Sequence, residues 1–133
     1  MKYSECKTEQ SFKMEWIKRN RKYYTAVFCI ETEETVKGFP DVLAIAEKDN
    51  CCQIPYLLEF KKARNGFVEF QSTQPAFYRK NLGLFISMIA LVENKGKQYI
   101  IILPACIILD KLEKGLRLDL RPFCTEQTEV KEV

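Results

Sequence analysis

The spacing of apolar positions changes along the chain, and the changes divide it into elements. Residues 4–20 predict a helix, because Glu5, Glu9, Phe12 and Trp16 recur at intervals of 4, 3 and 4, the spacing of one helical face. Residues 23–30, Tyr-Tyr-Thr-Ala-Val-Phe-Cys-Ile, are β-branched and aromatic and predict a strand. An acidic turn at Glu31–Glu34 follows, then strands at 42–46 and 54–62 joined by a polar loop with Asp49-Asn50 as its turn signal. Residues 74–91 carry Phe77, Leu82, Phe85, Ile86 and Ile89 at three- to four-residue spacing and predict a second long helix. A fully apolar strand is expected at 99–103, a short helix at 105–114 closed by Gly115, and a last strand at 116–120. Residues 124–133 are polar and read as a frayed tail to a single domain at 1–123. The order α-β-β-β-α-β-α-β describes a mixed α/β domain on a short central sheet flanked by helices.

Composition then narrows the chemistry. A chain of 133 residues is one domain's worth. It contains no histidine, which excludes Ser-His-Asp and Cys-His nucleophiles, His-ligated metals and any His general base. There is no Gly-x-Gly and no Gly-Lys-Ser/Thr, so dinucleotide and P-loop fingerprints are absent. The six cysteines show neither framework spacing nor a Cys-x-x-Cys, and Cys29 and Cys106 lie in apolar runs as small hydrophobes. Reduced thiols in a cytoplasmic, intracellular protein without membrane attachment are expected. The opening Met-Lys-Tyr-Ser-Glu-Cys-Lys has no apolar stretch of the secretory kind, and Pro104 interrupts the longest apolar run.

Charge is blocked rather than mixed. Residues 13–22 and 60–80 each carry a net charge of +4, and residues 31–59 between them carry −5. A charge run is usually a solvated face. An acidic centre that attracts a divalent metal, bracketed by cations that attract phosphate, is also the layout of a metal-dependent nuclease.

The acidic centre has a defined geometry. In the strand at 54–62 alternate side chains share a face, so Glu59 and Lys61 project together while Phe60 anchors the other side. Asp41 lies 18 positions before Glu59, at the mouth of the preceding strand, and a hairpin between the two strands brings the acids together. Two carboxylates and a backbone carbonyl make a hard oxygen site that suits Mg²⁺ or Mn²⁺. The plainer alternatives are a turn aspartate after Pro40 and a surface ion pair between Glu59 and Lys61.

Gly38-Phe39-Pro40-Asp41, a strand, a loop and Leu58-Glu59-Phe60-Lys61 resemble the signature of the PD-(D/E)xK nuclease superfamily. With Gln74 opening a helix and an apolar strand after it, the chain is most similar to the virus-type replication-repair (VRR-nuc) nucleases and Holliday-junction resolvases, over about residues 5–104. The resemblance implies a restriction-endonuclease-like core and a Mg²⁺- or Mn²⁺-dependent endonuclease acting on DNA, branched or junction DNA included. It implies that Asp41, Glu59 and the Phe60 carbonyl ligate the metal, that Lys61 orients or deprotonates the attacking water, and that Gln74 positions the site. An acid of the first helix completes it. Glu9 is chosen because it shares the Phe12/Trp16 face, with Glu5 one turn away as the alternative, whereas Glu15 falls on the wetter side with Ser11 and Lys18. Gln71 competes with Gln74, which is preferred because Thr73 can cap the helix. Phosphate contacts are expected from Lys18, Arg19, Arg21, Lys22, Lys62, Arg64, Arg79 and Lys80, and a homodimer from the need to cut two strands of a junction. The other readings are a catalytically lapsed nucleic-acid-binding module of this fold and a protein-interaction domain.

Overall fold

A computed structural model describes residues 1–30, 37–48 and 52–132. The acidic turn at Glu31–Glu34, the Asp49-Asn50 turn and Cys51 lie outside the described residues. Helix α1 (Glu9–Asn20) starts at Thr8, whose hydroxyl accepts from the Ser11 N–H while the Ser11 side chain returns a bond to the Thr8 backbone. The cap shortens the helix expected at 4–20, and Tyr3–Glu5 forms a separate 3₁₀ turn. Strands β1 (Ala26–Cys29), β2 (Val42–Glu47) and β3 (Gln53–Lys62) follow, then a short β4 (Phe67–Glu69) and helix α2 (Thr73–Lys80). Strands β5 (Phe85–Asn94) and β6 (Lys97–Pro104), helix α3 (Ala105–Lys111) and strand β7 (Arg117–Asp119) complete the chain.

The main sheet has the order β1-β2-β3-β5-β6, and β4 pairs with β7 in a small second sheet. Neighbours in the main sheet are antiparallel except β3 and β5, which run parallel with α2 in the crossover between them. Each face of the sheet has its own core. Tyr56, Leu58 and Phe60 of β3 with Ile89 and Leu91 of β5 pack beneath α1, joined by Phe12, Trp16 and Ile17. Leu57 of β3 with Ile86, Met88, Ala90 and Val92 of β5 pack toward α2 and α3, joined by Tyr78 and Ile108. Phe60 makes edge-to-face contacts with both Phe12 (5.8 Å) and Trp16 (5.4 Å), and these fix α1 on the sheet.

The long helix expected at 74–91 is two elements. Helix α2 ends at Lys80, and residues 85–94 form the strand β5. A strand buried on both faces presents a continuous apolar run, and in such a run helical spacing can be read by chance. The polar tail is also not frayed. Ile100 N–H donates to the Thr128 carbonyl, Val130 N–H donates to the Gln98 carbonyl, and Glu132 accepts from the Tyr3 N–H. Cys29 and Cys106 are exposed rather than packed as small hydrophobes. No helix among the described residues is long and apolar enough to cross a membrane.

Because Phe60 joins α1 to the sheet, Phe60→Ala should destabilise the fold by about 3–5 kcal/mol, the usual range for a buried aromatic. Urea denaturation of the two proteins checks this, and a loss under about 1 kcal/mol would mean that α1 docks through other contacts.

Candidate functional site: a buried carboxylate pair with a lysine

Strand pairing brings the two acids together. In the β2–β3 ladder Val42 pairs with Leu58, so the next position outward sets Asp41 against Glu59, just before β2 begins and where β3 continues. Asp41 Oδ2 takes the place of a ladder partner, 3.5 Å from the Phe60 N–H. A strand residue directs its N–H and carbonyl to the same edge, so the Phe60 carbonyl also faces this gap.

The loop carrying Asp41 is pressed against α2, the helix carrying Gln74. Gly38 has φ of +85°, and a Cβ there would stand 2.0 Å from the Thr73 carbonyl oxygen, so only glycine fits. The Phe39 and Phe77 rings meet edge-to-face at 5.1 Å, and Pro40 is fully buried. Ser72 occupies the cap position without a side-chain cap bond, and Thr73 is already helical, so the cap expected at Thr73 is displaced by one residue.

Gln74 is the glutamine that reaches the acids. Its Nε2 donates to Glu59 Oε1 at 2.9 Å, and its Oε1 accepts from Lys61 Nζ at 3.2 Å and from the Gln71 N–H at 3.0 Å. Gln71 itself is exposed and contributes its backbone only. One amide thus bridges a carboxyl and an ammonium, and the Lys61 Nζ also lies 5.0 Å from the centre of the Phe70 ring. Glu59 is 3% exposed and Lys61 8%, so they are not a surface ion pair.

Burial pushes the Glu59 carboxyl up to about 9, and its hydrogen bond with Asp41 and the charge there push the same way. Lys61 and the Gln74 bond pull against this without reversing it. Burial and the neighbouring acid therefore favour the neutral form of Glu59 well above the ordinary carboxylate range. The Tyr78 hydroxyl, fully buried, has no hydrogen-bond partner among the described residues. Burial raises its pKa first, and Glu59 and Asp41 raise it further.

Glu9 is exposed at the start of α1 and lines a cavity of about 260 Å³ with Gln10, Lys13, Asp41 and Phe60. It faces Asp41 across that space, and no cluster of three acids able to hold a metal forms among the described residues. Glu5, the alternative, bonds the Lys2 N–H in the preceding turn. Glu15 is buried rather than wet. Its carboxylate accepts from Arg19 Nε at 2.8 Å, and that bond holds its pKa below the usual carboxylate range.

The phosphate-contact residues divide. Arg19 is bound to Glu15 and Glu132 and lies 3.9 Å from the centre of the Tyr3 ring, so it has a structural role instead. Lys18, Arg21 and Lys22 are exposed at the far end of α1, roughly 15 Å along the helix from Glu9. Lys62 and Arg64 line a cavity of about 610 Å³ together with Lys61 and Glu9. Arg79 and Lys80 are exposed in the last turn of α2. Sequence reasoning missed Tyr78, although its place one helical turn after Gln74 was a usable signal.

The residues present fit a hard dication. Two carboxyls meet at a carbonyl edge, and a bound dication would offset the burial and the neighbouring charge that push Glu59 toward its neutral form. No protein-family model matches this chain, and no curated protein matches it.

The shifted carboxyl has a consequence for stability. The folded-state value of Glu59, about 9, lies above its ordinary 4.5, so folding takes up a proton between these limits. The metal-free protein should therefore lose stability as pH rises through this window. Glu59→Gln should flatten the dependence and be more stable than wild type at pH 8.5 by about 1 kcal/mol or more. Urea unfolding in EDTA at pH 5 and pH 8.5 measures both; a wild-type stability that rises with pH would refute the assignment.

Proposed function

We propose that this chain is a divalent-metal-dependent endonuclease that hydrolyses DNA phosphodiester bonds on a PD-(D/E)xK, restriction-endonuclease-like core. The observation that carries the reading is the Gln74 amide that links Glu59 to Lys61 beside Asp41, at the point where β2 begins. A buried glutamate and a buried lysine beside a half-buried aspartate lower stability and need a reason. The sheet order and the single parallel pair, with α2 in its crossover, support the reading, as does the resemblance of the Gly38–Asp41 and Leu58–Lys61 segments.

Asp41, Glu59 and the Phe60 carbonyl would hold the metal, and Glu9 would reach it from across the cavity. A bound Mg²⁺ or Mn²⁺ supplies Lewis-acid polarisation of the phosphate and lowers the pKa of the attacking water. Lys61 orients that water and offsets the negative charge that grows on the phosphate oxygens, so its contribution is greatest in the transition state. Gln74 fixes the rotamers of both Glu59 and Lys61, an amide neither of whose ends titrates. The water oxygen bonds to phosphorus, one ester P–O bond breaks, and the products are a phosphomonoester and a free hydroxyl. No histidine is required, and the chain has none. Junction DNA and a homodimer belong to the same proposal, since paired incisions need two sites.

Cleavage of junction, flap, duplex and single-stranded DNA with Mg²⁺ or Mn²⁺ tests the reading. Asp41→Ala and Glu59→Ala should each lower cleavage by at least ~100-fold with the fold intact by circular dichroism. Retained activity in either would end the proposal.

The helical acids should separate. Glu9→Gln should lower cleavage about tenfold or more, as expected of a residue acting at the edge of a metal site. Glu15→Gln should instead lower the melting temperature and leave the rate near wild type, because its partner is Arg19. Equal rates would remove Glu9 from the site.

A further inference from the structure

Two cavities open at the end of β3, one of them lined by Lys61, and they share Lys62 and Asn65. One, of about 610 Å³, holds Lys61, Arg64 and Arg117; the other, of about 320 Å³, holds Lys7 and Lys95. Together they are lined by six cations and by three acids, Glu9, Glu69 and Glu93. Lys7, Lys95 and Arg117 fall outside the basic blocks seen in the sequence, and no motif marks them.

The backbone that presents these cations is stiff. Asn65-Gly66 closes the β3–β4 turn and Lys95-Gly96 closes the β5–β6 hairpin, and all four residues have φ between 53° and 84°. Two successive positive φ values define the tightest hairpin turn. Asn is well suited to its place, but a lysine in the left-handed region costs about 1 kcal/mol and asparagine would fit there at lower cost. The groove also lacks a free aromatic face, since Arg117 and Arg121 both lie over the Phe67 ring, at 4.2 and 4.8 Å.

We infer that Lys7, Lys62, Arg64, Lys95 and Arg117 form one continuous track for the phosphodiester backbone of a nucleic acid, read by charge and not by base stacking. This rests on the nuclease reading for its direction, because the track leads to Lys61, and it adds residues and a mode of recognition to that reading. Binding should depend on salt and be indifferent to sequence.

The test measures binding of labelled duplexes of two unrelated sequences by fluorescence anisotropy in EDTA, so that metal and turnover play no part. With five cations engaged, log affinity against log salt should have a slope of about −4 to −5. Lys7→Ala/Lys95→Ala and Arg64→Ala/Arg117→Gln should each make the slope shallower by about two and weaken binding about tenfold or more. Lys111→Ala/Lys114→Ala, which removes the same charge from the end of α3, should bind as wild type. Polyglutamate of matched charge and inorganic phosphate at matched ionic strength should compete poorly. If the control pair weakens binding as much as the groove pairs, or if the groove pairs bind as wild type, the track is wrong while metal-dependent cleavage still stands. Equal competition by polyglutamate or phosphate would make the groove a general anion site and overturn the assignment to nucleic acid. Absence of both binding and cleavage in the wild type would overturn the track and the nuclease together.

Discussion

Strand β3 has no freedom of register, and most of the molecule follows from that. Its even-numbered residues, Tyr56, Leu58 and Phe60, belong to the core under α1, and Leu57 belongs to the core under α2 and α3. A slip of one residue would send Phe60 out of its contacts with Phe12 and Trp16 and drive Glu59 and Lys61 beneath α1. Pairing on both edges, antiparallel with β2 and parallel with β5, forbids the slip twice over. The position of every polar group near the site is thus set by apolar packing on the opposite face. The placement of Glu59 depends on hydrophobicity at Phe60.

The same constraint explains how a carboxyl pair and a lysine are tolerated inside a small fold. Burial alone would favour apolar side chains at 59 and 61. The cluster persists because each member has a fixed partner: Glu59 with Asp41 and Gln74, and Lys61 with the other end of the Gln74 amide. Gly38 holds the arrangement from outside, because its lack of a side chain lets the Asp41 loop seat against the start of α2. Three separate segments, the loop before β2, the end of β3 and the first turn of α2, are thereby locked at one point. The Tyr78 hydroxyl is left without a partner among the described residues.

Local spacing was legible where one residue decides one feature. Alternation along 54–62 identified the face shared by Glu59 and Lys61, and the hairpin argument set Asp41 against Glu59. What escaped was decided by distant partners. The apolar run at 85–94 carries no period of its own once both faces are buried, so the helical spacing of Phe85, Ile86 and Ile89 had no competitor in the sequence. Glu15 was read as wet because α1 was treated as a helix on a flat surface, whereas the 3₁₀ turn and the end of the chain wrap its second side and bring Arg19 to it. Arg19 was assigned to phosphate for the same reason: its partners, Glu15 and Glu132, lie 4 and 113 positions away, and the second cannot be inferred from local pattern.

The parallel pair β3–β5 supplies the last link. In an open α/β sheet, ligands gather beyond the carboxyl ends of parallel strands, where the connections diverge and leave a crevice. Here those ends are the Lys61–Lys62 step of β3 and the Leu91–Glu93 step of β5, and both cavities that carry the cations lie there. Parallel strands cannot be joined by a tight turn, so the crossover must leave the sheet, and α2 within it returns Gln74 to the carboxyl pair. On the other sides of the crevice, the two positive-φ turns project Arg64 and Lys95 from elements that can bend little. The acid cluster and the basic groove are therefore linked for a topological reason: one crossover creates the opening, and the same crossover carries the amide that bridges Glu59 and Lys61.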